Sequence, residues 1–234
     1  MTEQKIDEKL KMKRLCAKEA LKYVKDGMVL GVGSGSTVRE FIILLGKSEI
    51  DSSKIVCIPS SYDTEMMLIQ NGMNVGRLNK YPVIDVTIDG ADRVDAKLNV
   101  IKGGGGALLR EKIIAAAAKK VIIIVDNTKM VETLGGTFPV PVEVIPHAQT
   151  YVLEELKKLK GTPNLRKASD KLGPTITDNG NIILDTDFQN IPNPQQMEEQ
   201  LNNLPGVMEN GLFPNRLIDL VILADGKDIK VLEK

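Results

Sequence analysis

Short, uninterrupted runs of apolar residues recur along this chain, and each is followed by a polar or glycine-rich loop and then by a helical pattern. The clearest run is Val121–Val125, in which every residue is valine or isoleucine. Such a run is typical of a strand in a parallel sheet that is covered on both faces, because neither face of the strand meets water. Strands that alternate with helices predict a layered α/β sheet.

The alternation can be followed through the first half of the chain. Apolar positions among the lysines of residues 7–25 predict an amphipathic helix. The further expected strands are 28–33, 54–58 and 83–89, and the further expected helices are 37–45, 62–71 and 107–120. Ser36 or Thr37 is the expected N-cap of the second helix, because hydroxyl side chains accept hydrogen bonds from the first free N–H groups of a helix.

The pattern changes after about Thr137. The expected strands are then 139–146, 165–168, 181–185 and 206–213, and the expected helices are 149–160 and 194–204. The order β-α-β-β-α-β predicts a ferredoxin-like unit. A last apolar run at 219–224 is expected to rejoin the first sheet. We therefore predict a Rossmann-like layered parallel sheet, formed by residues 1–136 and 214–234, with a smaller α+β domain, residues 137–213, inserted into it.

Composition excludes several classes of protein. The 234 residues include 31 Lys and Arg against 31 Asp and Glu, so no net positive field would attract nucleic acid or an anionic membrane. The sequence contains no run of about 18 apolar residues, so no membrane span is predicted. The charged first residues do not resemble a secretory signal. We therefore expect a cytoplasmic protein with neither nucleic acid nor a membrane as its partner.

The few histidines and cysteines restrict the chemistry. His147, Cys16 and Cys57 are the only residues of these two types. They are too few for a His-rich zinc site or a CxxC site, and a lone histidine argues against a Ser-His-Asp triad. We expect no metal site, and we expect His147, which follows Pro146, to be structural or exposed.

The first motif of interest is Gly31-Val-Gly-Ser-Gly-Ser-Thr37, between an expected strand and an expected helix. Small residues let backbone N–H groups approach an anion, and a helix N-terminus adds partial positive charge. The motif lacks the third glycine of a dinucleotide fingerprint, because Ser36 stands there, and it lacks the lysine of a Walker loop. It predicts a phosphate site; the alternative is a tight turn that only closes the βα unit.

A richer group of residues follows the strand expected at 83–89. It comprises Asp89-Gly-Ala-Asp92, then Lys102 with the four glycines Gly103–Gly106, then Arg110-Glu111. Open α/β sheets bind ligands at this edge, and four consecutive glycines cost conformational entropy that core packing does not explain. Carboxylates and a lysine supply acid and base. We interpret the group as a catalytic site; the alternative is a turn with solvated charges and a glutamate favoured by the helix dipole.

Two lysines are weaker candidates for phosphate contacts. Lys129 follows the run 121–125 and therefore falls at the same sheet edge, although a solvated lysine is an almost equal interpretation. Lys13 lies on the first expected helix, where a charged outer face is the favoured interpretation. Ser60 and Ser61 follow the second expected strand and are interpreted as helix-capping residues.

Taken together, the motifs resemble those of the A-type ribose-5-phosphate isomerases. The matching segments occur in family order and cover almost the whole chain; they are Gly31–Thr37, Asp89–Asp92, Ile101–Gly105, Leu109–Lys112, Pro141–Pro146, Thr177–Asn181 and Gly211–Phe213. The sequence departs from the family pattern at Arg93, at Gly106 and at Pro59–Ser61. The resemblance implies interconversion of D-ribose 5-phosphate and D-ribulose 5-phosphate, in the pentose phosphate pathway, by a homodimer or homotetramer without a metal or organic cofactor.

The resemblance also implies a role for each site residue. Glu111 would move a proton between adjacent carbons through an enediolate, a task for which a carboxylate pKa near about 6–7 is most useful. Asp89, with Asp92 and Lys102, would open the sugar ring, and the division of this work is left open. The amides of Gly103–Gly106 and Lys102 would stabilise the oxyanion. The other residues expected to bind the substrate are Ser34, Gly35, Ser36, Thr37, Gly90, Ala91, Gly103, Gly104, Gly105, Lys129 and Lys13.

Two alternative functions stay open. An amino-sugar-phosphate deaminase would use a histidine in ring opening, and His147 lies in the inserted region. A non-catalytic sugar-phosphate sensor would work with a DNA-binding domain, and the chain has no basic recognition helix.

Overall fold

The computed structural model describes residues 3–136, 138–169 and 172–234. Residues 1 and 137, at which the two expected domains begin, lie outside these ranges. The helices are α1 (Glu3–Leu21), α2 (Ser36–Leu45), α3 (Tyr62–Gln70), α4 (Leu108–Ala117), α5 (Gln149–Lys158) and α6 (Pro194–Asn202). Short 3-10 helices span Asn127–Lys129, Pro146–Ala148 and Asn215–Leu217. Among the described residues, no helix is both long enough and apolar enough to cross a membrane.

The strands divide among three sheets. They are β1 (Val29–Val32), β2 (Val56–Pro59), β3 (Val86–Asp89), β4 (Arg93–Val94), β5 (Val100–Ile101), β6 (Val121–Asp126), β7 (Val140–Val144), β8 (Thr162–Leu165), β9 (Ile182–Asp187), β10 (Val207–Asn210), β11 (Leu212–Phe213), β12 (Leu220–Asp225) and β13 (Asp228–Glu233).

The chain forms two compact units. Unit 1 comprises the chain up to Ala91 together with Arg110–Met130 and Leu217–Lys234, and unit 2 comprises Asp92–Leu109 and Val131–Arg216. The domain bounds expected from the sequence stay a prediction. The compact units differ from them mainly in that Asp92–Leu109 belongs to unit 2.

Unit 1 is built on a six-stranded sheet with the order β13-β12-β6-β3-β1-β2. All neighbouring strands are parallel except β13, which pairs antiparallel with β12 at one edge. Every residue of β6 is buried, as its unbroken apolar run predicts. On one face, Leu30 and Val32 pack in a core with residues of α1 and α2, and Ile114 of α4 lies against the other face. The predicted Rossmann-like parallel sheet is confirmed, with the last apolar run returning to it as β12.

The order of strands in unit 1 also determines where a crevice forms between the loops that follow the strands. β1 has β2 on one side and β3 on the other, so the direction in which the sheet grows reverses at β1. The loops that follow two such strands diverge to opposite faces and leave a crevice at the carboxyl ends, where open α/β sheets bind ligands. The segments after β1 and at the end of β3 are the two motifs that the sequence indicated.

Unit 2 contains a four-stranded antiparallel sheet with the order β10-β7-β9-β8. Its elements follow along the chain as β7-α5-β8-β9-α6-β10, so the predicted ferredoxin-like unit is confirmed. Val142 and Val144 of β7 share a core with Val152 and Leu156 of α5 and with Leu201 of α6. The short strands β4, β5 and β11 form a separate sheet of this unit.

Two strand predictions in unit 2 are wrong. The strand expected at 165–168 lies at Thr162–Leu165, because β8 is an edge strand and tolerates Pro163. The single strand expected at 206–213 is two strands of different sheets, β10 and β11, with Gly211 at the break. A Cβ at Gly211 would lie 2.3 Å from the carbonyl oxygen of Lys102, so only glycine allows this close approach.

Candidate active site

The loop after β1, Gly33–Gly35, leads directly into α2 and is called the β1–α2 loop below. Gly35 is the N-cap of α2 with a φ of 112°, and no described side chain caps the helix. The predicted caps Ser36 and Thr37 are therefore wrong, because both residues lie within the helix. A helix N-terminus whose N–H groups are not met by a capping side chain has the partial positive charge and the donors that bind an anion.

Two glycines at the end of β1 are required by their neighbours in unit 1. A Cβ at Gly33 would lie 1.8 Å from Oδ1 of Asp89. A Cβ at Gly31 would lie 2.6 Å from Cγ2 of Ile114 and 2.7 Å from Oγ1 of Thr87. No side chain fits at these distances, so both glycines give room for adjacent side chains rather than freedom to the backbone.

Ser34 is the centre of a group of hydroxyls, called the hydroxyl cluster below. Its Oγ lies 2.8 Å from Oγ of Ser60, 2.8 Å from Oγ of Ser61 and 3.0 Å from Oγ1 of Thr64. Thr64 in turn donates to the carbonyl of Gly33 at 2.8 Å. Ser61 also accepts from the N–H of Thr64 as the N-cap of α3, which confirms its predicted capping role. The Ser34 hydroxyl thus has partners within unit 1, and its assignment to phosphate stays a prediction.

Asp89 ends β3 and is only 5% exposed. Its Oδ1 accepts a hydrogen bond of 2.7 Å from the N–H of Gly90 and one of 3.3 Å from the N–H of Ser34. The backbone on both sides of the crevice therefore orients this carboxylate. Within unit 1, the structure thus brings Asp89 together with the β1–α2 loop.

Glu111 lies in the first turn of α4 and is 4% exposed. Its alternative interpretation, an exposed residue favoured only by the helix dipole, is wrong. Lys129 is the last residue of the 3-10 helix that follows β6, and Asp126 caps this helix. Lys129 and Lys13 of α1 are both half-buried. Their contact with a phosphate stays a prediction.

In unit 2, the segment Gly103–Gly106 after β5 is called the glycine loop. It forms a turn in which the N–H of Gly106 donates to the carbonyl of Gly103 at 2.9 Å. Gly103 and Gly106 have φ values of 94° and 84°, a region that favours glycine. The N–H of Gly104 donates to Oδ2 of Asp92 at 2.8 Å, which joins two of the predicted site segments.

Lys102 precedes the glycine loop and is 3% exposed. Its backbone N–H donates to the carbonyl of Gly211 at 2.9 Å, and its Nζ lies 5.7 Å from the centre of the Phe213 ring. An aromatic face attracts an ammonium group at this distance. The alternative interpretation of Lys102 as a solvated charge is therefore wrong.

Arg166, just after β8, is a residue of this region that the sequence did not indicate. Its Nη1 donates to the carbonyls of Gly103 and Gly104, at 3.0 and 3.1 Å. The residue comes 63 positions after Gly103, and only the pairing of β8 with β9 places it beside the loop. No periodicity or motif signals such a contact.

The placement of metal-ligating side chains and of thiols is a further feature of the described residues. No group of three or more His, Cys, Asp or Glu side chains within the described ranges is placed to hold a metal ion. Cys16 and Cys57 are buried, and burial raises the pKa of each thiol to about 12, so both stay protonated at neutral pH. His147 is exposed in the 3-10 helix Pro146–Ala148, as predicted.

Comparison with known proteins gives a consistent result. Residues 56–228 match the family model described as ribose 5-phosphate isomerase A (phosphoriboisomerase A). The ribose-5-phosphate isomerase A of Pyrococcus abyssi is 46% identical over 227 residues, which cover 95% of this chain and 98% of that protein.

Solved structures agree with the sequence match. A D-ribose-5-phosphate isomerase in complex with phospho-erythronic acid superposes with a TM-score of 0.93 at 45% identity, covering 96% of this chain and 98% of the other. Ribose 5-phosphate isomerase A from Methanocaldococcus jannaschii superposes with a TM-score of 0.90 at 41% identity, covering 96% and 99%.

Proposed function

Since this chain belongs to the ribose 5-phosphate isomerase A family, we propose a role for each of its site residues in the reaction of that family. The chain is a sugar-phosphate isomerase that interconverts D-ribose 5-phosphate and D-ribulose 5-phosphate. The observation that carries the assignment of roles is burial: Asp89, Lys102 and Glu111 are 5%, 3% and 4% exposed. Asp, Lys and Glu are rarely buried to this degree, and such groups cluster at functional sites.

Glu111 is the general base. It takes the proton from C2 of the open-chain aldose, and the electrons of that C–H bond form the C1–C2 double bond of an enediolate while O1 takes the negative charge. Glu111 then returns the proton to C1 while the hydroxyl proton of O2 passes to O1, which gives the ketose with O2 as the carbonyl oxygen and O1 as a hydroxyl. Burial in the first turn of α4 supports this role, because a carboxylate shielded from water has no hydration shell to lose before it takes the proton.

Asp89 opens the furanose ring, with Asp92 and Lys102 as the other acid and base groups. Ring opening moves a proton from the anomeric hydroxyl and delivers one to the ring oxygen, so it needs both a base and an acid. The two N–H groups on Oδ1 of Asp89 support its role as a base, because they fix its direction. Lys102 also serves the oxyanion, together with amides of the glycine loop.

The phosphate is bound at the N-terminus of α2 by Gly35, Ser36 and Thr37, with Lys13 and Lys129 as cationic contacts. The helix end supports this, since its first N–H groups are not met by a capping side chain. The N–H of Gly104 is already donated to Asp92, so Gly103 and Gly105 are the stronger candidates for oxyanion donors. Gly90 and Ala91 complete the set of substrate contacts that we propose.

Replacement of Glu111 by glutamine tests the base directly. A general base contributes about 10²–10⁴-fold to a rate, and Glu111→Gln should lose that much kcat in a direct aldose-to-ketose assay. Glu198→Gln is a matched control, because Glu198 of α6 is also a buried acid at 3% exposure but has no proposed catalytic role. Activity of Glu111→Gln within about threefold of the unaltered protein would remove Glu111 from the mechanism.

The absence of a cofactor is proposed from the family and is tested in heavy water. Ribose 5-phosphate is incubated in heavy water with and without a chelator, and the ketose is examined for deuterium at C1. Ketose with solvent deuterium, formed at the same rate in both samples, agrees with an enediolate and no metal. A rate that falls with chelator and returns with a divalent cation contradicts the proposal.

Lys129→Ala tests the phosphate site. If Lys129 holds the phosphate in ground state and transition state alike, KM should rise far more than kcat falls. Phospho-erythronic acid, the ligand in a similar solved isomerase, should bind the variant more weakly by the same factor. A fall in kcat alone would instead place Lys129 in the chemistry.

Assembly and location are also proposed. We propose a homodimer or homotetramer in the cytoplasm, as the family implies. Tyr62, Met66 and Ile69 on α3 are 57%, 57% and 56% exposed and recur at i, i+4 and i+7, an apolar face that supports self-association. Light scattering after gel filtration gives the mass, and a monomer would contradict the proposal.

The deaminase alternative has its own test. Ammonia release from glucosamine 6-phosphate would favour it.

A further inference from the structure

Arg166 uses its guanidinium group to connect the ferredoxin-like sheet with the glycine loop, all within unit 2. Its Nε donates to Oδ2 of Asp185 on β9 at 2.7 Å, and its Nη2 donates to Oδ1 of the same carboxylate. Its Nη1 donates to the carbonyls of Gly103 and Gly104. The side chain is 16% exposed and that of Asp185 is 23% exposed, so water competes little for these bonds.

The two carbonyl contacts determine where backbone N–H groups point. A trans peptide is planar, and its C=O and N–H point in opposite directions. The Gly103 carbonyl is held towards Arg166, so the N–H of Gly104 points away from it, and this N–H meets Asp92. The Gly104 carbonyl is held in the same way, so the N–H of Gly105 also points away from the guanidinium.

We propose that Arg166 is a positioning residue for isomerisation, which holds the glycine loop so that the Gly104 and Gly105 N–H groups keep their direction. The inference rests on the proposed function, in which these amides orient Asp92 and stabilise the oxyanion. Donors lower a barrier only when they are fixed before charge develops. Glycines are the residues least able to fix themselves, because they have the most backbone freedom.

The geometry requires arginine rather than any cation. Two nitrogens of the planar group are used by Asp185, which leaves Nη1 aligned with the carbonyls. A lysine has one nitrogen on a flexible stem and cannot meet a carboxylate in a bidentate way while it also reaches two carbonyls. Asp185 therefore orients the guanidinium, and the guanidinium orients the loop.

The test compares Arg166→Lys and Arg166→Ala with the unaltered protein in the ribose 5-phosphate assay. Loss of one oxyanion donor costs about 10²–10³-fold in kcat, and loosening a loop of donors should cost about 10–100-fold with KM changed by less than about threefold. Guanidinium ion added to Arg166→Ala should restore part of kcat, because it can occupy the vacated position between Asp185 and the loop.

The matched control is Arg216→Lys. Arg216 is also an arginine of unit 2 whose Nη2 donates to a buried carboxylate, Glu198, at 2.6 Å. Loss of that bond should lower the melting temperature about as much as Arg166→Lys does but leave kcat unchanged. If Arg166→Lys does not fold, Asp185→Asn serves instead, because it keeps the arginine and weakens only the group that orients it; kcat should again fall with KM little changed.

The outcomes separate two failures. If the unaltered protein does not convert ribose 5-phosphate, the proposed function fails. If it does, and Arg166→Lys or Asp185→Asn keeps kcat within about twofold of the Arg216→Lys control, the positioning role is overturned. A larger fall in kcat that guanidinium ion partly restores in Arg166→Ala supports the role, and a fall that guanidinium ion leaves unchanged overturns it.

Discussion

The β1–α2 loop of unit 1 and the glycine loop of unit 2 are both rich in glycine, but different groups hold them. Side chains hold the first: Ser34 is bound by three hydroxyls, and Asp89 occupies the space beside Gly33. The second is held through its own backbone, since carbonyls of Gly103 and Gly104 accept from Arg166.

The difference shows that glycine is required for two different structural reasons in one protein. At Gly33 the φ angle is ordinary, and glycine is needed because a Cβ would collide with a carboxylate. At Gly106 the φ angle is positive, and glycine is needed because other residues rarely adopt it. A loop of the first kind tolerates no added atom, whereas a loop of the second kind tolerates no change of torsion. Substitutions can tell these two requirements apart.

The largest effect is expected for Gly33→Ala. The new methyl would lie 1.8 Å from Oδ1 of Asp89, so the carboxylate must move. A misplacement of about 1 Å can cost about 10²-fold in rate, and overpacking costs about 1–3 kcal/mol of stability. We therefore expect both kcat and the free energy of unfolding to fall, measured by the isomerase assay and by urea denaturation.

Gly46→Ala is the matched control for Gly33→Ala. A Cβ at Gly46 would lie 2.8 Å from the carbonyl oxygen of Asn71, also in unit 1, so it is overpacked as well. It should lose stability but keep its kcat. If the two variants lose kcat equally, displacement of Asp89 is not the cause, and the first half of the comparison fails.

A smaller effect is expected in the hydroxyl cluster. The hydroxyl of Ser60 has no exposed surface, and its partner in this cluster is the hydroxyl of Ser34. Ser34→Ala removes that partner. A buried hydroxyl left without a partner costs about 1–3 kcal/mol, whereas replacing both partners with apolar groups can be nearly neutral. The double variant Ser34→Ala, Ser60→Ala should therefore be more stable than Ser34→Ala alone. Additive losses in urea denaturation would show that side chains do not hold this loop.

A still smaller effect, of opposite sign at two neighbouring positions, is expected in the glycine loop. Gly105 has an ordinary φ and open space around its Cβ position, so Gly105→Ala should stabilise the chain by about 0.4–1 kcal/mol. Gly106 has a φ of 84°, and Gly106→Ala should destabilise it by about 1–2 kcal/mol. Equal melting temperatures of the two variants would contradict the second half of the comparison.

The smallest expected effect is an absence of reaction. Cys16 and Cys57 both belong to unit 1, and burial raises the pKa of each to about 12. At pH 8 only about one such thiol in ten thousand is ionised, so a thiol reagent should label neither in the native protein. Labelling as urea is added then reports the opening of unit 1 alone. Rapid labelling without urea would show that this unit opens more readily than its buried core indicates.

Much of the fold was predictable, because runs such as Val121–Val125 and the β-α-β-β-α-β order depend on local pattern. The proposed site residues Asp89, Lys102 and Glu111 could be indicated because Asp89 and Lys102 directly precede glycines and Glu111 lies in the first turn of the helix that follows the four-glycine run. Arg166 could not, since its contact depends on strand pairing between distant residues. The cap of α2 was mispredicted because hydroxyl residues at 36 and 37 are favoured caps, and only the backbone at Gly35 shows otherwise.

The position of β12 in the six-stranded sheet has a consequence for synthesis of the chain. β12 pairs with β6, and Val121, the first residue of β6, is 98 positions from Asp219, the residue just before β12. All of unit 2 has therefore left the ribosome before β6 can gain its second neighbour. Until then β6 is an apolar strand with one open edge, the kind of surface that chaperones protect and that aggregates when they do not.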